Sequence, residues 1–230
     1  MKNFEKLIGV FLLIGSSATT AAAKPADTIA QRAVACIACH GKEGRATSDG
    51  FFPRIAGKPA GYLYNQLVNF RSGARSYPMM TYMVGHMSDD YLKEIAQYFS
   101  DQHPPYAAPQ PSTASAQTLA LGRRLVTSGD ASRKLPACIS CHGQALRGAL
   151  PSIPGLLGLP RDYVNAQIGA WKNGARKAAA PDCMAHISKQ LTAEEVGAVS
   201  SWLAAQPIAR DMAPAASFAL PTPCGSAPSS

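Results

Sequence analysis

Two stretches constrain this chain more than any other feature: Cys36-Ile37-Ala38-Cys39-His40 and Cys138-Ile139-Ser140-Cys141-His142. Each reads C-x-x-C-H. Two thiols at this spacing lie about one helical turn apart, so both can add to the vinyl groups of one porphyrin. The histidine that follows then lies under the ring, where it can ligate the iron. A C-x-x-C pair alone would also suit a redox dithiol or half of a zinc site. The trailing histidine, the glycines that follow (Gly41 and Gly143) and the presence of two copies favour covalent haem. The expectation is two covalently bound haem c groups, one on Cys36, Cys39 and His40, the other on Cys138, Cys141 and His142.

The motifs belong to a longer internal repeat. Phe52-Pro53 matches Ile153-Pro154 at an offset of 101. Gly57, Tyr62, Gln66, Phe70, Gly73 and Arg75 match Gly158, Tyr163, Gln167, Trp171, Gly174 and Arg176 at the same offset. Two copies imply two tandem domains rather than a solenoid. The expected fold class is all-α, with each domain wrapping its helices around a haem. Expected bounds are residues 24–100 and 115–206, joined by a proline-rich linker over 101–114. An Ala/Pro/Ser-rich tail over 207–230 is expected to pack poorly. Each copy is small for an independent core, so a buried haem would be structural as well as functional.

Hydrophobic periodicity places the helices. In the first copy, Asp27 is expected to cap a helix over 28–35. A second helix over 59–72 sets Tyr62, Leu63, Leu67 and Phe70 on one face. A methionine-rich loop over 77–87 leads to Ser88, the expected cap of a third helix carrying Leu92, Ile95 and Phe99. The second copy is expected to form helices near 117–126 and 161–173, then a loop holding Met184. Thr192 and Glu195 have the spacing of a capping box for a last helix ending near Ala205. Tyr62, Tyr163, Gln66, Gln167, Phe70 and Trp171 are expected beside the haems. Arg75 and Arg176 suit pairing with propionates as well as they suit a solvated surface.

An electron carrier needs a second axial ligand, and a methionine thioether favours ferrous iron. Met184 lies eight residues before the cap Thr192. Counting eight back from Ser88 selects Met80 among Met79, Met80, Met83 and Met87. The metal ligands expected are therefore His40 and Met80, and His142 and Met184. His86 and His186 compete as ligands, but the repeat does not align them. Cys183 and Cys224 remain once four cysteines serve haems. Export would pair them as a disulfide; the alternative is a Cys183 thiolate on the second iron.

Lys2 and Lys6, an apolar core over residues 7–14 and the small residues Ala21-Ala22-Ala23 read as a signal peptide over 1–23, cleaved near Ala23. The leader implies export. The chain carries a formal charge of +8. Residues 24–110 hold nine Lys/Arg against seven Asp/Glu, and residues 111–230 hold eleven against six. No dense basic run occurs, which argues against a nucleic-acid partner. The excess on the second copy reads either as a scattered basic surface or as a docking face for an acidic redox partner.

The motifs CIACHG, FPRIAG, YLYNQLVNFRSGAR and MSDDYLKEIAQYF, with CISCHG, IPGLLG and YVNAQIGAWKNGAR, resemble the cytochrome c4 family, dihaem c-type cytochromes of bacterial periplasms. The resemblance covers about residues 28–205. It implies two cytochrome c-like domains related by a pseudo-twofold axis, His/Met ligation of both irons and no substrate chemistry. It also implies one-electron delivery, from a quinol-oxidising complex to a terminal oxidase, with peripheral association at the membrane. Two alternatives stand beside that carrier. One is a dihaem oxidoreductase acting on a small sulfur compound, with Cys183 on iron. The other is a cytochrome subunit of a dehydrogenase.

Overall fold

The computed structural model describes residues 27–47, 52–109 and 111–227. The signal peptide expected over 1–23 lies outside the described residues. The first half comprises α1 (Ile29–Arg32), α2 (Val34–His40), α3 (Ala60–Arg71), α4 (Pro78–Val84) and α5 (Asp89–Ser100). The second comprises α6 (Ala116–Thr127), α7 (Ile139–His142), α8 (Arg161–Lys172), α9 (Cys183–Gln190) and α10 (Ala193–Ala204). A two-stranded antiparallel ribbon, β1 (Gly148–Ala149) and β2 (Ile153–Pro154), interrupts the second half. The fold is the expected tandem of helical domains.

Local chemistry explains most helix ends. The Ser88 side chain accepts from the Tyr91 N–H at the start of α5. Thr192 and Glu195 form the full reciprocal box at the start of α10. After α3 and α8 the chain turns through Gly73 and Gly174, both at φ +78°. That region disfavours residues with a Cβ, so these matched glycines let both helices stop in the same way.

Four expectations are corrected. The first cap is Thr28, which accepts from Gln31 N, while Asp27 pairs with Arg32. Thr28 is placed to bond the first turn, and the helical path continues through the first haem motif. The methionine-rich stretch is a helix rather than a loop. Pro78 occupies its first turn, where a missing N–H costs nothing, and three methionines follow with good helix propensity. Met184 likewise lies on a helix, capped by Asp182, which accepts from Ala185 N. Finally, the described part of the tail is held. Ala215 pairs with Ala149, Arg147 bonds Asp211, and the Ser226 carbonyl accepts from both Ser152 and Asn65. Backbone groups and a disulfide supply the order that apolar side chains do not.

The two interiors differ. In the second half eleven buried apolar residues, among them Leu125, Leu146, Ile168 and Leu203, form one continuous cluster. There α6 crosses α10 so closely that a Cβ on Gly122 would lie 2.2 Å from the Ala198 carbonyl oxygen. In the first half the buried residues fall into two smaller clusters. Leu63, Ile95 and Phe99 belong to one; Phe70, Val84 and Leu92 form the other.

The halves meet about a local pseudo-twofold. Arg75 and Arg176 face each other as an antiparallel bridge. Ser76 N donates to Ala175 O at 2.8 Å, and Lys177 N to Ala74 O at 2.7 Å.

Candidate haem-binding site

A cavity of about 840 Å³ extends across both halves, and both C-x-x-C-H motifs open into it. In the first half α2 carries Cys36, Cys39 and His40 to its wall. In the second, α7 and the residue before it carry Cys138, Cys141 and His142. None of the four cysteines is engaged in a disulfide, as thioether attachment to haem requires. Burial raises the Cys36 and Cys141 thiols, and it pushes Cys138 up to about 12.

Each histidine is oriented the same way. His40 Nδ1 lies 2.9 Å from the Pro53 carbonyl, and His142 Nδ1 lies 2.8 Å from that of Pro154. A carbonyl can only accept, so Nδ1 carries the proton and Nε2 keeps its lone pair. Burial lowers the pKa of both rings, which favours the neutral form that a metal ligand needs. Phe52-Pro53 and Ile153-Pro154, matched in the repeat, are thus the pieces that fix the two rings.

Met80 and Met184 both line the cavity and are half-buried. So are Met83 and Met87, whereas Met79 is 55% exposed. His86 and His186 are exposed and not among the lining residues, and His186 Nε2 contacts Gln190 at 2.9 Å. His103 is also exposed. Cys183 is bonded to Cys224, with Cα atoms 5.0 Å apart. The expected disulfide is present, and no thiolate remains at Cys183 for an iron.

The polar wall gives an independent test of fit. Arg54, Lys58, Arg75 and Arg176 line the cavity, and among the described residues none of them has a carboxylate partner. Arg54, Lys58 and Arg176 are 4–6% exposed. Burying cations without anions is costly. Two haems bring four propionates to such a wall, so the donor set, the charge and the cavity volume all suit the group. Among the described residues the Trp171 indole N–H is likewise buried without a partner.

Arg75 and Arg176 sit not on open surface but in the seam between the halves. Arg75 donates to Gln66 of its own half at 2.9 Å and to Gln167 of the other at 2.7 Å. Arg176 donates to Gln167 at 2.7 Å and to Gln66 at 2.8 Å. Tyr163 accepts from Arg75, and Tyr62 from Arg176. Burial alone would raise the Tyr62 phenol, but Arg176, Arg75 and Lys58 outweigh it and hold the group below its usual range. Tyr62, Gln66, Tyr163 and Gln167 line the cavity as expected, and they also form the seam between the halves.

Sequence reasoning missed Lys58 and Arg54. Lys58 Nζ donates to the Gly155 carbonyl of the other half at 3.0 Å, and burial lowers its pKa to about 8. Arg54 donates to the Pro104 and Pro105 carbonyls, and its guanidinium stacks 3.7 Å above the Tyr106 ring, pinning the linker. The repeat held one clue, since Leu159 occupies the place that Lys58 takes in the first copy.

Two helical domains, each presenting two thiols and an oriented imidazole to a cation-lined cavity, define a dihaem c-type cytochrome. No family model matches the chain. The thiosulfate dehydrogenase electron acceptor of Thiomonas intermedia (strain K12) is 38% identical over 198 residues, covering 86% of this chain and 87% of that protein. Cytochrome c4 of Azotobacter vinelandii is 29% identical over 210 residues, 86% of this chain and 97% of that one. Among solved structures, reduced cytochrome c4 from Pseudomonas stutzeri superposes with a TM-score of 0.66 at 28% identity, covering 77% and 96% of the two chains. Thiosulfate dehydrogenase (TsdBA) from Marichromatium purpuratum gives 0.67 at 32% identity. That match covers 75% of this chain but only 36% of the longer one. The chain belongs to the cytochrome c4 family: it is an electron carrier with two covalently bound haem c groups. Among the described residues no helix is long and apolar enough to cross a membrane.

Proposed function

We propose that this chain is a periplasmic carrier that accepts electrons from a thiosulfate-oxidising dehydrogenase and passes them, one at a time, towards a terminal oxidase. The observation that carries the donor is the 38% identity with a thiosulfate dehydrogenase electron acceptor, maintained over most of both chains. The quinol-oxidising donor implied by the cytochrome c4 resemblance is the second reading, supported by the more distant cytochrome c4 relatives. The disulfide at Cys183 weighs against an enzyme with thiolate on iron.

Under this reading, Cys36, Cys39, His40 and Met80 hold one haem, and Cys138, Cys141, His142 and Met184 hold the other. Haem iron supplies a one-electron ferric/ferrous couple with no bond to substrate made or broken. The chain's own work is to orient. Pro53 and Pro154 hold the imidazoles, while α4 carries Met80 and α9 carries Met184 to the same cavity. The buried arginines, the lysine and the indole N–H stabilise negative charge within the cavity.

The test is stopped-flow mixing with a thiosulfate-reduced dehydrogenase. Uptake of two electrons per chain, at a rate that falls as salt rises, is expected if charge steers docking. Reduction by a quinol-oxidising complex but not by the dehydrogenase would overturn the donor assignment. Met80→Ala and Met184→Ala should each turn one haem partly high-spin; unchanged spectra in both would sink the ligand set.

A further inference from the structure

Lys58 departs from the symmetry of the cavity. Its backbone belongs to the first domain, just before α3, yet its Nζ is held by the Gly155 carbonyl of the second. Gly155 follows Pro154, the residue that orients His142. Lys58, Gly155, Pro154 and His142 line one stretch of the cavity, so the ammonium lies at the second haem site. The equivalent residue of the second copy is Leu159, so no lysine serves the first site in return.

The ammonium is also short of partners. It has three N–H donors, and Gly155 takes one. The titratable groups that act on it are Tyr62 and Arg54; no carboxylate among the described residues does so. A buried cation in this state needs an anion from outside the polypeptide.

We propose that Lys58 is the charge partner of the second haem: its ammonium, braced by Gly155, pairs with a propionate of the haem on Cys138 and Cys141 and raises that haem's reduction potential. The proposal rests on the dihaem reading above. Two effects act in the same direction. A fixed positive charge favours ferrous iron, which carries one positive charge fewer than ferric. Pairing also offsets a propionate charge that would otherwise favour the ferric state. The contact further joins the domains through the cofactor, with the cation from one and the anion from the other.

Lys58→Gln keeps a donor for Gly155 and removes the charge, whereas Lys58→Arg keeps the charge. Both are made as full-length holoprotein and titrated potentiometrically, with proton NMR following the methyl signals of each haem. Lys58→Gln should shift the ferric/ferrous ratio of the second haem about tenfold towards ferric at fixed electrode potential, ~59 mV for one electron. The first haem should move much less, and Lys58→Arg should restore most of the shift. No shift, an equal shift at both haems, or equal shifts with Gln and Arg would overturn the proposal. The unaltered protein gives a check that needs no variant to fold. Nuclear Overhauser contacts from the Lys58 side chain should reach propionate methylenes of the second haem, and contacts to the first haem or to neither would also overturn it. Failure of the dihaem reading looks different: the unaltered protein would lack two low-spin haems.

Discussion

The two domains repeat one plan but reach stability by different routes. In the second, α6 and α10 pack backbone to backbone at Gly122, and one apolar cluster runs through the domain. The start of α9 is also tied to the tail by Cys183–Cys224. In the first, two smaller clusters flank the cavity, and the matching helix α4 exposes Met79 and Tyr82 at 55% and 80%. The first domain therefore relies more on the haem to join its parts, and the second more on its polypeptide. Two copies of one fold need not divide the same stabilising task in the same way.

The strongest test of this contrast is Phe99→Ala. Phe99 is 2% exposed, and its backbone carbonyl also accepts from Gly57 N. The expected cost is about 3–5 kcal/mol, read by denaturant unfolding of the holoprotein. Hydrogen exchange should show the loss concentrated in α3 and α5. An equal rise in exchange in α6 and α10 would mean that the domains unfold as one unit.

Cys224→Ser is the next test. Opening a cross-link between residues 41 positions apart should cost about 2–4 kcal/mol. It should loosen the site around Met184 while leaving that around Met80 unchanged, as judged by the weak sulfur-to-iron band of each ferric haem. Equal weakening of both bands would break the contrast.

The smallest expected effect concerns helix starts. α10 has a capping box whose Glu195 also pairs with Arg133 at 2.6 Å, while α5 has the Ser88 cap without the reciprocal box, its Asp89 pairing with Arg71. Thr192→Ala should cost about 1 kcal/mol. Hydrogen bonding to Arg133 comes first among the causes that hold the Glu195 carboxyl below its usual range. Its contribution is therefore complete above the unfolded-state pKa and is lost as pH falls through the lower folded value. Acid titration should accordingly destabilise α10 of the unaltered protein in that window, and Glu195→Gln should abolish the dependence. A dependence that persists in Glu195→Gln would place the effect elsewhere.

The sequence made much of this legible because the haem motifs and the repeat are local patterns. Cysteine spacing identified the cofactor, and matching Phe52-Pro53 with Ile153-Pro154 marked the segments that orient both histidines. The capping residues Ser88 and Thr192 were readable because a cap is decided within four residues. The helices holding Met80 and Met184 were not. Their spans are short and begin at or just after a proline, Pro78 and Pro181, which reads equally well as a loop signal. The Lys58–Gly155 and Arg54–linker contacts join residues 97 and 50 or more positions apart, which no periodicity reports. The roles of Arg75 and Arg176 were hidden for the same reason. A repeat shows that two residues are equivalent, but not that they touch.

That touching has a consequence for the molecule's ancestry. Each arginine bonds the glutamine of its own half and that of the other, as in a contact between two identical subunits. Such a surface is complementary to itself, so one ancestral domain would already have carried everything needed to pair with a second copy. Joining two such copies in one chain would require no new recognition. It would replace an encounter that depends on concentration with a tethered one, and would leave each copy free to vary away from the seam.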